Sequence, residues 1–281
     1  MFGEEIEGLQ DLGHCVEVKF QHAGVRRFGL VIGADGLHSK VRRLVFGPQD
    51  RVEKQLGYFV AAFESAGYRP RDDDVYVTHS DPGRMVGRVT LRDDRTLFLF
   101  VFAADAAALA TLPDLAAQKA MLHARFGADG WEENSRILDA LDSTSDIYFD
   151  RVSQIRLPKW SKGRIGLVGD AAYCVSLMAG QGSALAMTGA YVLAGELARA
   201  SGRDVEGLAS YENVLRAFID TKQRGAERFA GAFAPKTRLG LFVRNQVIKA
   251  AAIPGIARFA LGRDIADRLK VRAYPWGTLP A

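Results

Sequence analysis

Two loops of this chain share one design, an apolar run that ends in glycine and aspartate. The first reads Leu30-Val31-Ile32-Gly33-Ala34-Asp35-Gly36 and continues through Ser39 and Arg42. The second reads Ile165-Gly166-Leu167-Val168-Gly169-Asp170-Ala171-Ala172 and continues to Gly180-Gln181-Gly182-Ser183. A carboxylate at the carboxyl edge of a sheet reaches a ligand lying across that edge. In the second loop small residues let the backbone approach a ligand, and Asp170 offers acceptors to a sugar hydroxyl. Gly180-Gln181-Gly182 presents free N–H groups at the start of a long helix, an end that favours negative charge. Either loop alone also reads as an ordinary turn and helix cap; the two in this order point to a ligand site.

Few other residues carry a chemical signal. His14, His22, His38, His79 and His123 show no paired spacing, which argues against a metal site or a base. Cys15 and Cys174 have no second Cys or His at metal-ligand spacing and cannot build a disulfide framework. Cys174, beside the second loop, reads as a small packing residue. No side chain stands out as an acid or base, so no catalytic residue is nominated and no metal is expected.

The elements that must position these loops follow from periodicity and turn residues. Cys15 to Phe20 alternates, Gln21 to Gly24 turns, and Arg26 to Ile32 runs into Gly33, a hairpin feeding a buried strand. Ser39 caps a short helix, Lys40 to Phe46, closed by Gly47-Pro48. Strands follow at 58–63, 75–78, 85–91 and 96–102, the last two joined across Asp93-Asp94, and these form an antiparallel sheet. In the last strand Phe98, Phe100 and Phe102 share one face while Leu97, Leu99 and Val101 share the other, so both faces need a cover. Helices are expected at 115–126 and 131–141, a strand at 147–157, and a short buried strand at 164–168. The segment 183–200 is apolar nearly all round, as a buried helix would be, and helices at 205–233 and 236–261 complete the chain. No internal repeat is visible.

Composition bounds the class. The 281 residues are 48% hydrophobic and 25% charged, with a mean hydropathy of -0.03, which excludes a disordered or collagen-like chain. The richest apolar runs are broken by Asp105, or by Lys249, Pro254 and Arg258, so no transmembrane segment is expected. Glu4 and Glu5 stand where an export signal carries basic residues, which places the protein in the cytoplasm by default. From Pro235 to Ala281 nine Lys or Arg face only Asp264 and Asp267, more than the whole net charge of +4. With apolar residues interspersed and no nucleic-acid motif, that region reads as a solvated helical face, and no nucleic-acid partner is expected.

Asp35-Gly36 with Ser39 and Arg42 resembles the Asp-Gly-x-x-Ser-x-x-Arg fingerprint of the class A flavoprotein monooxygenases, the FAD-dependent aromatic and tetracycline hydroxylase type. Gly169-Asp170-Ala171-Ala172 resembles that family's later fingerprint, whose Asp holds the flavin ribityl chain. The resemblance runs over essentially the whole chain. It implies an α/β chain with an incomplete FAD-binding domain built on a mixed sheet, an inserted antiparallel-sheet substrate domain and C-terminal helices. The expected divisions are 1–54 and 147–200 for the FAD-binding domain, 55–146 for the substrate domain and 201–281 for the helices. The implied cofactor-binding residues are Asp35, Gly36, Arg42, Gly169, Asp170, Gly180, Gln181, Gly182 and Ser183. Phe98, Phe100 and Phe102 would line the substrate cavity.

The implied activity uses NAD(P)H and O2 with bound FAD to hydroxylate an aromatic or polycyclic small molecule. Three departures stand out. No Gly-x-Gly-x-x-Gly run, the family's pyrophosphate loop, occurs in the sequence, so the chain looks like a member without its N-terminal βαβ unit. Val175 and Leu177 stand where relatives carry prolines, and Gly29 where they often place Asp. The alternatives are a truncated, non-catalytic remnant that holds no FAD alone, or a related flavin dehydrogenase, reductase or halogenase.

Overall fold

The computed structural model describes residues 1–68, 74–104, 108, 112–128, 130–251, 269 and 271–274. The chain opens with strands β1 (Ile6–Asp11), β2 (Val16–Phe20), β3 (Val25–Phe28) and β4 (Val31–Gly33), then helix α1 (Lys40–Phe46). Strands β5 (Glu53–Ala66), β6 (Val77–Asp81), β7 (Arg84–Thr90) and β8 (Arg95–Ala103) follow, then helices α2 (Leu115–Phe126) and α3 (Asn134–Ser143). After β9 (Tyr148–Ile155), β10 (Ser161–Lys162) and β11 (Ile165–Leu167) come α4 (Asp170–Tyr173), α5 (Gly182–Ala200), α6 (Asp204–Phe233) and α7 (Arg238–Ala251). The expected extension of the last helix to residue 261 lies outside the described residues. Among them, no helix is long and apolar enough to cross a membrane.

Two compact units divide the chain: residues 1–54, 153–226 and 267–281 form one, and residues 55–152 and 227–266 the other. The second boundary falls inside β9, not at 146/147, because β9 is hydrogen-bonded into the large sheet of the second unit while its last residues enter the first. Residues 201–226, expected among the C-terminal helices, fall in the first unit. Leu208, Tyr211, Leu215 and Ile219 of α6 are buried in the core of the first unit, with Trp160, Leu167 and Tyr173.

The first unit holds two small sheets. β1, β2 and β3 form an antiparallel sheet, and β10, β11 and β4 a mixed one in which β11 runs parallel to β4. The continuous strand expected from Arg26 to Gly33 is therefore split at Gly29-Leu30 between two sheets. The Arg164 guanidinium holds that break, donating from Nη1 to the Gly29 carbonyl at 3.0 Å and to Asp204 Oδ2 at 2.8 Å. β1 gave no sequence signal because Gly8, Gln10 and Asp11 interrupt its apolar residues.

The second unit is a five-stranded sheet in the order β6-β7-β8-β5-β9. β5 pairs antiparallel with β8 from Tyr58 opposite Ala103 to Ala66 opposite Arg95. Side chains alternate across a pleated strand, so Phe59, Phe63, Phe98, Phe100 and Phe102 share one face. There they pack with Leu122 and Phe126 of α2 and Ile137, Leu138 and Leu141 of α3. Arg88, 1% exposed on the same face, is held by Glu133, with Nε at 2.8 Å from Oε2 and Nη2 at 2.9 Å from Oε1. The opposite face is apolar too: Tyr58, Val60, Met85 and Val101 are buried, and Ala62, Leu97 and Leu99 are half-buried.

Candidate functional site

Both chemistry-bearing loops leave the same edge of one sheet. Val31, Ile32 and Gly33 pair in parallel with Ile165, Gly166 and Leu167, and the Val168 N–H donates to the Gly33 carbonyl at 3.0 Å. The parallel pairing puts Asp35 and Asp170, far apart in sequence, at neighbouring carboxyl ends. Gly33 permits the approach of α1 to this pair: a Cβ there would lie 2.7 Å from Leu167 Cδ2 and 2.8 Å from Val41 Cβ.

The first loop is used up by the fold. Ser39 Oγ accepts from the Arg42 N–H at 2.9 Å, an N-cap, and donates to Asp35 Oδ1 at 2.5 Å, while Asp35 Oδ2 accepts from the Val41 N–H at 3.0 Å. Gly36 has φ +76°, which lets the chain turn back so that the Ser39 N–H meets the Gly36 carbonyl at 3.1 Å. Arg42 is fully buried and ties one loop to the other. Its Nη1 donates to the Ala171 carbonyl at 2.9 Å, and Nη2 to Leu37 O at 2.5 Å and Gln49 Oε1 at 3.0 Å. Burial lowers its pKa and the Asp35 carboxylate opposes that shift. Arg42, expected at the cofactor, is placed in the interior, where its guanidinium joins the two loops.

The second loop keeps its groups available. Gly169 has φ +64° and ψ -144°, a conformation that L side chains rarely adopt, and it turns the chain sharply from β11 into α4. Asp170 follows, half-buried. Its carboxylate lies near the Cys174 thiol one helical turn on, and that thiol donates to the Ser153 carbonyl at 3.8 Å. Burial raises the Asp170 pKa above the ordinary aspartate value, and the thiol pulls it back in part. Burial, with the Asp170 charge beside it, in turn pushes the Cys174 thiol up to about 12, so it stays a neutral donor. The i, i+4 spacing of Asp170 and Cys174 carried this contact, but a lone Cys reads as packing without the structure.

Gly180, at φ +63°, ends a 3-10 turn over Leu177–Ala179, and Gln181 is the N-cap position of α5. No side chain caps α5 and its first turn has no acid, so the N–H groups of Gly182 and Ser183 are left for another acceptor. Gly182 stands beside Asp170: a Cβ on it would lie 3.9 Å from Oδ1. Acceptor and donors therefore face one small volume. α5 is not the all-round buried helix its composition suggests, since Met187 is 68% exposed and Tyr191 37%.

Phe98, Phe100 and Phe102 belong to the second unit. Each is at most 1% exposed on the sheet face that α2 and α3 cover, where these rings pack in the core. Sequence parity showed that both faces are apolar but not which one the helices take. No group of three or more His, Cys, Asp or Glu that could hold a metal ion is found among the described residues.

Residues 2–223 match the model of a protein family described as FAD binding domain. An uncharacterized protein of Mycobacterium tuberculosis is 41% identical over 225 residues, which are 79% of this chain and 59% of the relative. A flavin-dependent monooxygenase from an unknown prokaryotic organism is 34% identical over 223 residues, 79% of this chain and 57% of the relative. The chain thus spans less than two thirds of these curated relatives. Among solved structures, the tetracycline destructase Tet(51) superposes with a TM-score of 0.80 at 30% identity, covering 96% of this chain and 70% of that one.

Proposed function

The chain belongs to the FAD binding domain family, and from that premise we propose that it acts as an FAD-dependent monooxygenase, using NAD(P)H and O2 to hydroxylate an aromatic or polycyclic small molecule. The observation that carries this reading is the half-buried Asp170 carboxylate, set beside the uncapped N-terminus of α5. That donor and acceptor set fits the ribityl and flavin half of FAD. Asp170 would accept from a ribityl hydroxyl, and the N–H groups of Gly182 and Ser183 would stabilise negative charge on the ring system. Bound FAD supplies the redox chemistry; the protein binds, orients and excludes water. Asp35, Gly36 and Arg42 serve that site by holding the two loops together.

The test supplies the protein with saturating FAD, NAD(P)H and labelled O2 and adds polycyclic phenols. Substrate-stimulated oxygen uptake with label in the product supports the monooxygenase; NAD(P)H oxidation with an unlabelled product moves the reading to a flavin dehydrogenase or reductase. The lack of a Gly-x-Gly-x-x-Gly run in these 281 residues favours a second reading, in which the chain by itself holds FAD too weakly to turn over. Absence of any flavin-dependent turnover at saturation supports that one.

A further inference from the structure

Two buried glutamine amides stand behind the Asp170 loop. Gln154, on β9, is 0% exposed and Gln223, on α6, is 3% exposed. Gln223 Nε2 donates to the carbonyls of Ile155 at 2.8 Å and Cys174 at 3.1 Å, with Tyr173 O at 3.4 Å sharing a proton. Gln154 Nε2 donates to the carbonyls of Val175 at 2.9 Å and Gln223 at 2.8 Å. Arg156 fixes which end of the Gln154 amide faces the loop, because its Nε and Nη2 both donate to Oε1, at 3.1 and 2.8 Å. Three consecutive carbonyls, Tyr173 to Val175, are therefore held by two side chains from distant parts of the sequence.

The next residue explains why a clamp is needed there. Ser176 sits at φ +115° and ψ 139°, a region that non-glycine residues occupy only when the surrounding structure forces them. Its Oγ accepts from the Met178 N–H at 3.3 Å, which starts the turn into Gly180 and α5. No proline stiffens residues 171–181. Left to itself, the segment would relax at Ser176 and carry the start of α5 away from Asp170.

We propose that Gln154 and Gln223 are positioning residues of the flavin site, which lock the carbonyls of Tyr173 to Val175 and so keep the Asp170 carboxylate and the first-turn N–H groups of α5 set as one cradle. The assignment rests on the flavin-site reading above. Neither glutamine touches the ligand; both act through the loop.

The test uses the full 281-residue chain, as parent, Gln223→Leu, Arg156→Ala and Asp170→Ala. Arg156→Ala keeps both glutamines and removes the two donors that orient the Gln154 amide, so it stands in should Gln223→Leu fail to fold. Hydrogen exchange followed by mass spectrometry, without FAD, reports the loop; FAD titrated into the millimolar range, read by flavin fluorescence, reports the site. In Gln223→Leu, which loses the Nε2 bonds to the loop carbonyls, the amides of 174–184 should exchange roughly tenfold faster or more, while those of β5, β7 and β8 keep parent rates. Arg156→Ala should show a smaller change in the same segment. FAD should bind about tenfold more weakly to Gln223→Leu than to the parent. Parent-like exchange at 174–184, or faster exchange throughout the chain, overturns the clamp. Parent-level FAD affinity in Gln223→Leu, with Asp170→Ala weakened, overturns the clamp alone. Parent-level affinity in Asp170→Ala overturns the flavin-site reading, and the exchange measurement still decides the clamp.

Discussion

Replacing Asp170 separates what the site contributes to binding from what it takes from stability. The carboxylate is half-buried near the Cys174 thiol, which donates to the Ser153 carbonyl, so it has acceptor capacity to give a ligand hydroxyl. A hydrogen bond to a charged group is worth about 1.5 to 3 kcal/mol, which at about 1.4 kcal/mol per decade is roughly a ten- to 150-fold loss of FAD affinity in Asp170→Ala. Cys174→Ala and His38→Ala should change affinity far less. Stability should move the other way. Because burial holds the Asp170 pKa above its ordinary value, the folded chain binds more protons than the unfolded chain between those two pKa values. Stability therefore falls as pH rises through that window and stays lower above it. Asp170→Asn, which keeps the shape without the ionisation, should be more stable than the parent at neutral pH and should lose that advantage under acid conditions. FAD titrations by fluorescence and urea denaturation at a series of pH values measure the two effects. Equal affinity in parent and Asp170→Ala would remove Asp170 from the ligand site, and identical pH profiles for parent and Asp170→Asn would refute the burial argument.

Other outcomes follow from the geometry. The 281-residue chain purified alone should be nearly colourless, since no Gly-x-Gly-x-x-Gly loop is present to cradle the FAD pyrophosphate; stoichiometric flavin absorbance would reveal another phosphate site. Gly33→Ala should cost about 1 to 3 kcal/mol in denaturant unfolding, because its Cβ would press on Leu167 and Val41, and an unchanged midpoint would mean that α1 shifts freely. Arg42→Met should cost about 2 to 4 kcal/mol, since it strips the buried Ala171 and Leu37 carbonyls and the Gln49 amide of a donor. Phe100→Ala should cost about 3 to 5 kcal/mol, as for a core ring; a loss of substrate affinity at parent stability would return that ring to a cavity wall.

The sequence by itself determined the elements whose signals are local. Helix α1 begins at Lys40 and ends at Phe46 as read, because its cap, Ser39, and its stop, Gly47-Pro48, lie within a turn of its ends. α2 from Leu115 to Phe126 and the hairpin across Asp93-Asp94 were equally legible. So was the shared design of the two Gly-Asp loops, since each carries its own strand, turn and helix start. Tertiary structure alone decided which groups those loops leave free. Whether Arg42 greets a ligand or the Ala171 carbonyl, 129 residues on, depends on β4 lying beside β11. Which face of β8 the helices cover, and so whether Phe98, Phe100 and Phe102 are core or cavity, was undetermined because a strand apolar at both parities fits either way. The split at Gly29-Leu30, the exposed side of α5 and the glutamine amides behind Asp170 have the same origin. A side chain's hydrogen-bond partner and its contact with water are properties of what packs against it, and spacing along the sequence encodes only the neighbours one turn or one pleat away.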